Sequence, residues 1–418
     1  MYLLKFLSSS SDASLDASSD RIAVEYRLAC SGELYNRNVQ TYDWRKSDVT
    51  RVLLRTPLEL FVASQPFAAY PQELCVRLAL AEVTESQEEQ GGCFSRTFIP
   101  DEDIIEDLCS ILSLLSRRLI SPGEKVREQY PQAQSAALGS YGTDVPTPVL
   151  SSRRLTTWAQ RPATVVTSFK GLQFIDNSPP PVGVNPKTLA EVLLKLPTIP
   201  EAAEIVHASR LYRAAFELIE SRPDISYQLL ISTVESLAAV ALEEYQPEES
   251  EQLAAALPVQ KRALAYGLDS EKAKRLALDA CKGHRWLKKK FKKFLLEFAP
   301  KDKLVGQDRV FLVPENLCPP FEDRQSVFGL IYDMRSGNLH TALPFPRSIA
   351  IGTAPSIKWR DLPLNLLMRS DIPPVAWFER VVSIAAREYI LGRTAVEVPP
   401  FVDFSPPERT ELPGASIT

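Results

Sequence analysis

Apolar positions recur with two different periods along this chain, and the change of period falls near residue 200. Before it, Arg21 to Cys30 (RIAVEYRLAC) alternates as a half-buried strand does. Val52 to Ala63 and Leu74 to Val83 read as further strands, although their Leu and Ala content leaves helix open, and Thr164 to Ile175 reads as one more. Asp101 to Ile120 carries the clearest helical stripe of this half, formed by Ile104, Ile105, Leu108, Ile111, Leu112 and Leu115. Its first turn is acidic and its end is marked by Ser121-Pro122-Gly123, so Arg117 and Arg118 either meet a phosphate or, as is expected of them, are surface cations at the negative end of the helix dipole. Residues 8–20 (SSSSDASLDASSD) read as a flexible loop or frayed arm, and Pro179-Pro180-Pro181 as a stiff spacer.

Beyond residue 200 the spacing is helical. Glu201 to Glu220 puts Ile205, Ala208, Leu211, Tyr212, Ala215, Phe216 and Ile219 on one face, while Ile225 to Glu244 is apolar nearly all round and is expected at the centre of a bundle. Helical periodicity continues through Glu251 to Tyr266, Ser270 to Lys282, His284 to Phe298, a segment starting near Asp323, and Pro374 to Leu391. The predicted fold class is therefore an α+β N-terminal domain (1–198), an all-α bundle (199–395) and a Pro-rich flexible tail (396–418).

Composition narrows the function classes. A net charge of −4 provides no global basic field for nucleic acid or anionic lipid, so any polyanion site has to be local. The six cysteines show no C-x-x-C pair and no zinc-ligand spacing, which predicts reduced thiols in a cytoplasmic protein, no metal and no cofactor. No run reaches the roughly 18 uninterrupted apolar residues of a bilayer span, so a membrane partner is not expected.

Arg335 and His340 are the leading candidates for chemistry. Arginine offers a permanent charge on a fork that fits phosphate oxygens, and histidine exchanges a proton near neutral pH. Metal-free RNA cleavage needs both: a base takes the ribose 2′-OH proton, an acid protonates the leaving 5′ oxygen, and a cation steadies the charge between them. In an unbroken helix five residues turn through about 500°, which leaves the two positions about 140° apart. Convergence therefore requires either a helix that loosens at Gly337-Asn338 or a second copy of the chain. Taken alone, an R-x4-H string is more often a surface arginine and a histidine capping a helix end.

The surrounding runs carry more information. L-Y-R-A-A-F-E-L-I-E at Leu211 to Glu220, S-Y-Q-L-L-I-S-T-V-E-S-L at Ser226 to Leu237, K-K-F-K-K-F-L at Lys289 to Leu295 and I-Y-D-M-R-S-G-N-L-H at Ile331 to His340 stand in this order. Over about residues 201–392 the chain resembles the HEPN superfamily, particularly its abortive-infection branch. That resemblance implies an all-α homodimer in which two R-x4-6-H motifs face each other. It further implies a metal-independent RNase acting as a toxin in phage defence, or a relative that only binds nucleotides or RNA. Arg335 and His340 then match the catalytic pair, and Ser336 the polar position after the arginine.

Four further readings concern the surroundings of that pair. Glu235 is either a carboxylate orienting Arg335 or His340, or a charge at an exposed helix edge. Tyr332 reaches a phosphate or a base, or edges the core. Lys288, Lys289, Lys292 and Lys293 follow an RNA backbone, with Trp286 stacking a base, or form a solvated face. Asp333 is expected as a solvated charge, and His207 and His284 as structural. The expected function is a metal-independent endoribonuclease in phage defence or stress-triggered growth arrest, with RNA as partner. Its alternatives are a non-catalytic RNA- or nucleotide-binding module and an oligomerisation scaffold.

Overall fold

The computed structural model describes residues 2–11, 21–30, 34–36, 58–64, 72–81, 101–129, 164–168, 171–175, 182–282, 286–300, 304, 318–341, 345–350, 372–397 and 401–403. Most described residues are helical. The strands lie in the first half, apart from one near the C-terminus.

Strand β4 (Gln72–Ala81) is central to the sheet, pairing antiparallel with β1 (Arg21–Cys30) on one edge and β3 (Leu58–Ser64) on the other. Period-two alternation sends Val24, Tyr26 and Leu28 of β1, and Leu74, Val76 and Leu78 of β4, into the core. β5 (Ile120–Gln129) adds to the free side of β1. This strand is absent from the sequence reading, in which Ser121-Pro122-Gly123 looked like a helix stop. Pro122 instead sits opposite Leu28 on an edge strand, where a missing N–H costs no ladder bond. The segment expected as one strand from Thr164 is a hairpin of β6 (Thr164–Ser168) and β7 (Gly171–Ile175).

The first helix, α1 (Tyr2–Ser11), falls partly on residues expected to be a loop; 12–20 and the triple proline lie outside the described residues. Leu3, Phe6 and Leu7 bury its apolar face, and it packs on α2 (Asp101–Ser116). Helix α2 is buried on nearly every side, beyond the single stripe expected of it. It ends four residues early because Arg117 takes a left-handed conformation (φ 52°), which turns the chain straight into β5. α3 (Pro186–Lys195) packs against β3; Asn185 caps it by accepting the Thr188 N–H at 3.3 Å, and proline occupies its first turn.

The helical half follows the periodicity closely. α4 (Ala202–Leu218) packs between α2 and α5 (Pro223–Ala241). α6 (Glu249–Ala265) and α7 (Ser270–Lys282) form an antiparallel pair, followed by α8 (Leu287–Phe298), α9 (Arg324–Thr341) and α10 (Val375–Thr394). Phe345, Tyr227 and Phe378 stack in sequence, with centroids 5.3 and 4.9 Å apart, and Phe291 joins them to Tyr332. The principal apolar core runs without interruption from Leu3 to Phe401, across the position where a boundary was expected.

Two charged links tie the halves together. Of the two arginines expected on the surface, Arg118 is buried and Arg117 is partly buried. Arg117 grips Glu379 of α10 in a two-pronged bond of 3.2 and 2.6 Å. Arg210 of α4 holds Asp107 of α2 through Nε at 2.6 Å. The chain beyond 396, expected to be a mobile tail, contributes β9 (Phe401–Asp403), which pairs with β8 (Val182–Val184) at the sheet edge.

Candidate functional site

Helix α9 carries the motif, and its register decides which residues share a surface. Val327, Phe328 and Ile331 are buried, and Tyr332, Arg335 and Asn338 continue their face toward α5 and α8. The helix passes unbroken through Gly337 and Asn338 to Thr341. Asn338 does not cap it: the Gln228 side chain on α5 donates to its carbonyl. An intact register keeps positions 335 and 340 about 140° apart and places His340 within about 60° of Asp333 and Ser336. The helix does not loosen at Gly337-Asn338, so the first of the two expected routes to convergence is not found.

Arg335 is held by Glu235, whose Oε2 accepts from Nη2 at 2.9 Å. Their side chains keep 24% and 14% of their surface exposed. A guanidinium has five N–H donors and this contact uses one, so most of the fork remains for an anion. The guanidinium carbon lies 6.0 Å from the Tyr332 ring centroid, and that ring meets Phe291 edge-on at 5.4 Å. Burial, reinforced by the Glu235 charge, pushes the Tyr332 phenol up to about 12, so it stays protonated at neutral pH and can serve only as a neutral hydrogen-bonding group. Glu235 Oε1 is buried with no geometric hydrogen-bond partner.

The lysines of α8 are more committed than the sequence suggested. Lys288 pairs with Asp333 at 2.6 Å, and Lys289 with Glu251 at 2.7 Å while lying over Trp286. Lys293 covers the Tyr245 ring at 4.8 Å. Lys292 forms no ion pair among the described residues. Asp333 is thus paired across helices, not merely solvated. His207 is exposed, and His284 lies outside the described residues.

One group escaped the sequence reading altogether. Glu379 sits in the apolar run AWFERVV and is fully buried; it takes both prongs of Arg117 and the Tyr212 hydroxyl at 2.5 Å. A lone carboxylate on the inward side of such a run was the available signal. Among the described residues no group of His, Cys, Asp and Glu could hold a metal, and no helix is long and apolar enough to cross a membrane. The chain matches no protein-family model, no curated protein and no solved structure at a significant level.

Proposed function

We propose that this protein is a metal-independent endoribonuclease of the HEPN type whose working unit is a homodimer. The supporting observation is an Arg335 that is oriented by Glu235, keeps most of its donors uncommitted, and sits on an unbroken helix in which position 340 lies about 140° round from it. With about 140° between the two positions, the arginine of one copy serves the histidine of the other. His340 accepts the ribose 2′-OH proton, the 2′ oxygen bonds to phosphorus, and the bond to the 5′ oxygen breaks as that oxygen takes the proton back from the same His340. Arg335 holds the non-bridging oxygens as charge builds on them, with Ser336 beside it. The products are a 2′,3′-cyclic phosphate and a 5′-hydroxyl end. Such an activity suits a growth-arrest or phage-defence toxin.

Purified protein incubated with RNA, with and without EDTA and beside His340→Ala, tests this reading. Cleavage that ignores EDTA and is lost in the variant supports it; equal cleavage by both proteins contradicts it. The second reading, a non-catalytic RNA- or nucleotide-binding module, draws on the intramolecular pairing of Lys288 and Lys289 and on the Glu235 contact to Arg335. RNA binding without any cleavage would favour it.

A further inference from the structure

Arg324, at the first position of α9, is in an unusual state for a buried arginine. Only 6% of its surface is exposed, yet it makes no hydrogen bond or ion pair with any described residue, and its Nε is buried without an acceptor. Burying part of a charged guanidinium without a counterion is costly, whereas the partly buried Arg117 is paired with Glu379.

The side chain folds back over the start of its own helix. Its guanidinium carbon stands 4.3 Å from the ring centroid of Phe321, in the turn Phe321–Asp323 that leads into α9. A second cation is close. Phe328 of α9 packs on Trp377 of α10 with centroids 6.2 Å apart; Arg324 lies one turn before the first, and Arg380 about one turn after the second. Burial first, then the Arg380 charge, lowers the Arg324 pKa from its ordinary value, and Glu322 acts weakly the other way. Glu322 and Asp323 are exposed, and neither forms an ion pair with Arg324.

We infer that the start of α9 is a phosphate-binding site, in which Arg324 and Arg380 hold the anion at the positive end of an 18-residue helix and Phe321 flanks it. A phosphate suits two guanidinium forks because it offers several oxygens in different directions. It is either free phosphate or the phosphate of a mononucleotide whose base lies against Phe321, which is 37% exposed. This site is separate from the Arg335 and His340 pair and stands whether or not the chain cleaves RNA.

Calorimetric titration and thermal melting of the full chain in phosphate-free buffer test it, with inorganic phosphate, AMP, adenosine, and sodium chloride at matched ionic strength as probes. Titrating the Arg335→Ala protein in parallel keeps the other arginine from contributing. Phosphate and AMP are expected to bind and raise the melting temperature, whereas chloride does neither. Arg324→Met is expected to weaken phosphate binding at least tenfold and to melt no lower than the unsubstituted protein without ligand, because it removes the unpaired charge and keeps the bulk. AMP binding tighter than phosphate identifies a nucleotide site; equal affinity identifies a free-phosphate site. Arg380→Gln is expected to weaken binding too, a readout independent of how Arg324→Met folds. Absence of phosphate binding, or the same affinity in Arg324→Met and Arg380→Gln as without them, means an adventitious ion only and overturns the site.

Discussion

Arginine, glutamate and tyrosine meet at the junction of the two halves, on α9, and around Glu201 with Arg393 and Tyr389, and the first two of these meetings are completed to different degrees. At the junction Glu379 is fully buried, both its oxygens accept from Arg117, and the Tyr212 hydroxyl adds a third bond. On α9 Glu235 and Arg335 share one bond, both remain partly exposed, and Oε1 of Glu235 has no geometric partner. The same three side-chain types thus make a closed structural clamp in one place and an open group with donors to offer in the other. A closed group contributes to stability and has nothing left for a ligand, whereas an open one contributes little stability and keeps its chemistry available.

That difference can be broken by substitution. Glu379→Ala takes the two-pronged partner from Arg117 and leaves the buried Tyr212 hydroxyl without its acceptor, and is expected to cost about 3–5 kcal/mol in urea unfolding. A loss below about 1 kcal/mol would show that water already reaches the clamp. Glu235→Ala is expected to cost about 1 kcal/mol or less in the same measurement. It should nevertheless lower RNA cleavage by about tenfold or more, since a freed Arg335 no longer points one way. Equal cleavage by the two proteins would remove Glu235 from the site.

Alkaline titration sharpens the contrast. The Tyr332 phenol is raised to about 12 from an ordinary value of 10.0, so folding favours its neutral form. That contribution is fully present below about pH 10 and is lost as pH rises through about 12. The Tyr212 phenol is also raised, first by burial and then by the Glu379 charge. Tyr332→Phe should therefore lessen the decline in stability between pH 10 and 12 without abolishing it, followed by unfolding at fixed denaturant. An unchanged decline would mean that Tyr332 titrates as an ordinary surface phenol. The smallest effect is expected at Lys288→Ala, whose exposed pair with Asp333 is worth about 0.5 kcal/mol or less; a larger loss would make α8 and α9 depend on that pair.

Much of the helical half was legible because its apolar spacing is long and regular. The all-round apolar run at Ile225 to Glu244 became the central α5, and Phe291, Phe294 and Leu295 of α8 are buried as their spacing required. The errors fall where local signals and tertiary context disagree. Pro122 and Gly123 look like the end of a helix until an edge strand accommodates them, and Arg117 looks like a surface cation until a glutamate 262 residues away meets it. For the motif, the sequence named Arg335, Glu235 and Tyr332, and the structure sets them side by side. No spacing rule could reveal that Asn338 is tied to Gln228 while α9 stays straight through Gly337.

A straight α9 makes one demand that a mixing experiment can meet directly. Arg335→Ala and His340→Ala are each expected to be inactive on RNA. If the arginine of one copy serves the histidine of the other, mixing the two variants under conditions that exchange subunits restores one intact site in each mixed dimer, roughly a quarter of the unsubstituted activity. A mixture as inactive as its components, alongside an active unsubstituted protein and demonstrated subunit exchange, would contradict a site shared between copies.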